Sequence, residues 1–143
     1  MELVGFLPRK VFSSLHTSNF QSEDNFTDPL GFADTFHTFT LVWEPAVVHF
    51  AVNGIFFAHR TRQEALARMG SWPFDADNYG AFIILNLAVG GDWPGNPDAT
   101  TQFPQRFLID YVRVYKCNRR RQPKRKKMVR GLRGQKNNGL SVI

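Results

Sequence analysis

The residues able to do chemistry in this chain of 143 are few and far apart. Glu2 offers a carboxylate at the start, and His16 an imidazole near the end of the run KVFSSLHT at 10–17. Asn86 interrupts the apolar stretch AFIILNLAV at 81–89, Trp93 sits in Gly-Asp-Trp-Pro-Gly at 91–95, and Asp110 interrupts FLIDYVRVY at 107–115. Taken singly, each has an ordinary structural reading. Glu2 is a solvated terminal carboxylate, His16 a hydrogen-bonded strand histidine, Trp93 a loop-packing indole, and Asp110 an acceptor for backbone amides at a strand edge. Asn86 asks for more, because an amide buried without a partner costs about 2–7 kcal/mol. It must satisfy either backbone at a strand irregularity or a bound ligand. Trp43 and Trp72 read as core or loop-anchoring residues, and the lone Cys117 rules out an intramolecular disulfide.

The elements that must hold these residues are strands. Residues 10–17 and 38–43 (TFTLVW) alternate or carry β-branched and aromatic side chains. Residues 47–52 and 55–60 flank Asn53-Gly54, a pair that supplies the positive φ of a two-residue type I′ hairpin. In the first arm Val48, Phe50 and Val52 share one face, and Val47, His49 and Ala51 the other. Residues 81–89 and 107–115 are apolar almost throughout, which predicts central strands covered on both faces. Residues 63–69 (QEALARM) can make two helical turns, the one helix expected before residue 116. The stretches 71–77 and 90–101 are dense in Gly, Pro, Asn and Asp and read as turns. Strands separated by turns, with almost no helix, predict an all-β antiparallel sandwich.

Length suits one domain with its own core. A hydrophobic content of 43% and an aromatic content of 14% exclude a chain disordered by composition. No run of 18 apolar residues occurs, so neither a spanning helix nor a membrane partner is expected. Met1 is not followed by the basic and apolar regions of a signal peptide. The net charge of +6 divides unevenly. All twelve acids and seven of the eighteen bases fall in residues 1–115, and the remaining eleven bases in 116–143. An acidic, aromatic-rich domain over 1–116 is thus followed by a basic tail over 117–143, expected to be solvated and disordered. Its run RRRQPKRKK (119–127) has the composition of a nucleic-acid patch but no interleaved aromatics, so no nucleic-acid partner is expected.

Three segments together resemble the laminarinase and lichenase family, glycoside hydrolase family 16. The first is FHTFTLVWEP (36–45) with the hairpin arm VHFAVNG (48–54). The second is WPFD (72–75) running into FIILNLAVGGDWPG (82–95) and NPDATT (96–101), and the third FPQRFLIDYVRVY (103–115). They follow the family's order and spacing over nearly all of residues 1–115. The resemblance implies a jelly roll of the concanavalin-A-like kind. Met1-Glu2-Leu3-Val4-Gly5 then resembles the end of the family's catalytic Glu-x-Asp-x-x-Glu strand. Glu2 would be the general acid/base, with the nucleophilic Glu and the middle Asp ahead of Met1. The chain is therefore expected to be a C-terminal portion, its sandwich incomplete at the N-terminus.

By the same resemblance the parent is an extracellular, monomeric endo-hydrolase of β-1,3- or mixed β-1,3/1,4-glucan that retains anomeric configuration. Retention requires two carboxyl groups about 5–5.5 Å apart, so residues 1–143 alone are expected to be inactive. His16 carries over as a cleft-lining residue in register with Glu2. Asn86 carries over as an amide that bonds sugar hydroxyls, and Trp93 as a rim aromatic whose indole suits a glucose face. Asp110 carries over as a ligand of a structural calcium, a hard cation held by oxygen. Its partner carbonyls are expected upstream, and no cofactor is required for the reaction. NLAVGGDWPG (86–95) resembles the laminarinases most, which favours β-1,3-glucan. The alternative is a non-catalytic β-glucan-binding module that keeps the fold and lacks a carboxylate.

Overall fold

The computed structural model describes residues 1–16, 21–69, 72–75, 80–116 and 140–142, and these form two antiparallel sheets. The first has the order β1 (Glu2–Leu3), β2 (Lys10–His16), β3 (Gln21–Thr27). The second is built from β4 (Phe39–Glu44), β5 (Val47–Val52), β6 (Ile55–Thr61), β7 (Val114–Lys116) and β8 (Leu140–Val142). Its spatial order is β6-β5-β4-β8-β7. A single α-helix among the described residues, α1 (Arg62–Met69), follows β6 directly, and Pro73–Asp75 adds one turn of 3-10 helix.

The period-two alternation of β2 joins the layers. Val11 and Ser13 are fully buried, and Leu15 on the same face packs against a core of Val48, Phe50, Ala58, Ala65 and Trp72. Lys10, Phe12, Ser14 and His16 are left on the outer face. At the other margin Phe26 of β3 meets Phe57 of β6 at 5.7 Å, and the buried Arg60 guanidinium pairs with the half-exposed Asp24 carboxylate.

The expected hairpin forms where Asn53-Gly54 requires it, with φ of 50° and 80°. Asn53 also ties the turn to the approach of β4: its amide donates to the Thr38 carbonyl at 2.9 Å, and its side-chain oxygen accepts from the Thr38 amide at 3.0 Å. Val48 and Phe50 enter the core, as the alternation predicts. A bulge interrupts the β5–β6 ladder, with Phe50 opposite Ala58 but Ala51 opposite Phe56, so that Phe57 is the extra residue.

Helix α1 starts on a capping box. The Glu64 amide donates to the Thr61 hydroxyl at 3.2 Å, while the Glu64 carboxylate accepts from the Thr61 hydroxyl and amide at 2.7 and 3.1 Å. The same hydroxyl and amide bonds from Thr61 hold the Glu64 carboxyl below the usual carboxylate range. Trp72 and Trp43 are anchors, as expected. The Trp72 indole donates to the Pro45 carbonyl and the Trp43 indole to the Phe74 carbonyl, each at 2.7 Å, and Phe74 packs edge-on to both rings.

Three expectations need correction. Residues 81–89 and 107–113 are not strands, and their side chains are exposed, Phe82 by 83%. A strand exists by hydrogen bonding to a neighbour, and no described backbone pairs with either run. Asn86 is accordingly exposed rather than buried. From the second run, Val114–Lys116 alone is strand, as β7. Strand β3 was unmarked in the sequence, because QSEDNFT is mostly polar; it pairs along the whole of β2. Cys117 and most of the basic tail lie outside the described residues, although Leu140–Val142 forms β8 between β4 and β7.

Candidate active site

Pairing in the first sheet assembles the site. Glu2 of β1 is the direct partner of Phe12 on β2, which puts its carboxylate on the outer face with Phe12, Ser14 and His16. The Ser14 hydroxyl donates to Glu2 Oε2 at 2.7 Å. His16 Nε2 lies 3.9 Å from the same oxygen, an ion pair whenever the imidazole is protonated. Both the glutamate and the histidine keep about half of their side chains in contact with solvent, so the pair is open to a ligand from the outer side.

An aromatic wall completes the arrangement. Trp93 meets Phe12 edge to face, with centroids 5.1 Å apart and planes at 76°. Phe12 is thereby almost buried, while Trp93 keeps 46% of its surface. The loop reaches this position through a turn closed by the Gly95 amide on the Gly91 carbonyl at 2.9 Å. Gly90 and Gly91 lead into it at φ of 74° and 137°, and a Cβ on Gly90 would meet the Asn96 side-chain oxygen at 2.9 Å. The Glu2 carboxylate thus lies between an indole-capped aromatic and an imidazole. This arrangement can orient a carboxylate for proton transfer and offer an apolar face beside it.

Of the expected site residues, Glu2, His16 and Trp93 come together. Register gives Glu2 to Phe12, and His16 lies two same-face steps further along β2. Asn86 and Asp110 are exposed, and neither is bonded to Glu2, His16 or Trp93. Among the described residues no group of three or more His, Cys, Asp or Glu side chains could hold a metal. Asp110 would hold a structural calcium only together with backbone carbonyls from elsewhere in the fold. Sequence reasoning missed Ser14 and Phe12, whose signal was the alternation of residues 10–16 once His16 is taken as facing the site. The pocket between β3, β6 and α1, lined in part by Asp24, Arg60 and Glu64, contains none of these residues.

Comparison with known proteins gives the family. The sequence model of glycosyl hydrolases family 16 matches residues 1–113. The chain is 36% identical over 129 residues to glucan endo-1,3-beta-glucosidase A1 of Niallia circulans, covering 81% of this chain and 18% of that protein. It is 32% identical over 127 residues to the beta-glucanase of Rhodothermus marinus, covering 81% and 43%. The X-ray structure of endo-beta-1,3-glucanase from Pyrococcus furiosus superposes with a TM-score of 0.62 at 29% identity, over 98% of this chain and 42% of that one. The chain therefore spans less than half the length of these relatives, and its two antiparallel sheets are of the jelly-roll class. With the match running from Glu2 through Trp93 to Arg113, the chain belongs to glycosyl hydrolases family 16.

Proposed function

We propose that this chain is the acid/base-bearing portion of an endo-β-1,3-glucanase, with Glu2 protonating the leaving glycosidic oxygen and then activating water. The observation that carries the reading is the outer-face cluster itself. Glu2 is held by the Ser14 hydroxyl, with His16 on one side and the Phe12–Trp93 wall on the other. The wall suits the apolar face of a glucose ring. A retaining mechanism needs a second carboxylate about 5–5.5 Å away to attack the anomeric carbon, whereas the partners found for Glu2 are a hydroxyl and an imidazole. In this reading polypeptide outside residues 1–143 supplies the nucleophile, and the parent is an extracellular monomer. The names of the relatives, endo-1,3-beta-glucosidase and endo-beta-1,3-glucanase, support β-1,3-glucan as substrate.

The test begins with the coding sequence in frame ahead of Met1. If it ends in Glu-x-Asp-x-x, the longer protein should release reducing sugar from laminarin, and Glu2→Gln should abolish release while leaving glucan binding intact. Residues 1–143 alone should release none. Hydrolysis by residues 1–143, or full activity in the Glu2→Gln protein, would overturn the assignment. A non-acidic residue at the first Glu position, with glucan binding retained, would favour the binding-module reading.

A further inference from the structure

His49 and His59 take no part in the Glu2 face. They are direct partners across β5 and β6, and their rings lie 6.1 Å apart, centroid to centroid, with planes tilted by 42°. The bulge accounts for their meeting. With Phe57 as the extra residue, Phe57 and Ala58 both pack toward the core, and Phe56 and His59 both come round to the outer face beside His49. Phe56 meets the His49 ring edge-on at 5.9 Å, which limits the ring's rotation.

We propose that His49 and His59 form a two-imidazole site for a divalent first-row transition ion, with zinc as the test case, that staples the edge strand β6 to β5. Zinc takes imidazole nitrogen at about 2.0–2.1 Å in tetrahedral geometry, which sets the centroids of two ligating rings about 5–5.5 Å apart. From 6.1 Å the rings need to close by less than about 1 Å, a change within side-chain rotation for direct cross-strand partners. Imidazole selects zinc, copper or nickel, whereas calcium and magnesium prefer oxygen. The site is thus chemically distinct from any calcium site at Asp110. Two protein ligands leave two positions to water, so the site is open and exchangeable. It lies on the outer face of the second sheet, across the sandwich from Glu2, and does not depend on the catalytic reading.

The experiment adds zinc alone to the full-length protein that contains residues 1–143 and follows binding by equilibrium dialysis and amide hydrogen exchange along β5 and β6. One zinc should bind per chain and slow exchange in both strands, because binding is linked to the pairing that creates the site. Either His49→Gln or His59→Gln should weaken binding at least about 10–100-fold. His37→Gln and Cys117→Ser should leave it unchanged. His59→Cys, which keeps a zinc ligand, should retain the binding that His59→Gln loses, and this separates ligand loss from misfolding. No zinc-dependent slowing in the parent chain, or binding that survives both glutamine substitutions, would overturn the proposal.

Discussion

Glu2 and Arg60 show how differently two charged side chains can be held. Glu2 keeps about half its side chain in water and receives one hydroxyl bond, from Ser14, so it remains available to a substrate. Arg60 is buried to 9% exposure, bonded through Nη1 to Asp24 and to the His59 carbonyl, with Nε unpaired among the described residues. A buried guanidinium without a counter-charge is costly, and breaking such a pair typically destabilises by about 3–5 kcal/mol. Asp24 is itself half exposed, so water offsets part of the loss. Asp24→Asn should therefore lower unfolding free energy by about 1–3 kcal/mol in urea titration. Asp24→Asn combined with Arg60→Met should recover most of it. A single variant as stable as the parent would show that the pair contributes little.

At the scale of elements, hairpin and helix follow from local chemistry. Asn53-Gly54 takes the positive φ that its turn needs, and Thr61 with Glu64 caps α1. The Thr61 bonds depress the Glu64 carboxyl, so the cap's contribution is fully present above the ordinary glutamate pKa. It is lost as pH falls through the lower value of the folded state. Amide exchange at the start of α1 should accordingly rise on acidification through that range. Thr61→Ala should raise it already at neutral pH, at a cost of about 0.5–2 kcal/mol, and should flatten the acid dependence. An unaltered acid profile in Thr61→Ala would sever the link between cap and titration. The cap was legible beforehand only as a helix over 63–69, and β3 was not legible at all. A polar strand such as QSEDNFT carries no alternation to reveal it, since its place is set by pairing with β2.

The whole molecule is dominated by what residues 80–113 leave uncovered. Phe82, Ile84, Leu87, Val89, Leu108 and Val112 are exposed along two runs that no described strand pairs with. Contiguous apolar surface with unpaired backbone invites strand addition or aggregation. The relatives are more than twice as long as the part this chain matches. Residues 1–143 expressed alone should bind a hydrophobic dye such as ANS and melt over a broad range, the behaviour of a loosely packed state. A monomer with a sharp cooperative transition and no dye binding would contradict this.

By itself the sequence determined the turn at Asn53-Gly54, the short helix, the anchoring tryptophans and the family, because each rests on local pattern or on motifs in order. It also named Glu2, His16 and Trp93 as residues of one site. The tertiary structure decided that these three meet, through the β1–β2 register and the loop that lays Trp93 on Phe12, and it added Ser14. Alternation and turn chemistry act between neighbours along the chain, whereas burial and register depend on which strand lies alongside. That is why the apolar runs at 81–89 and 107–113 read as core strands in the sequence yet lie open in the fold.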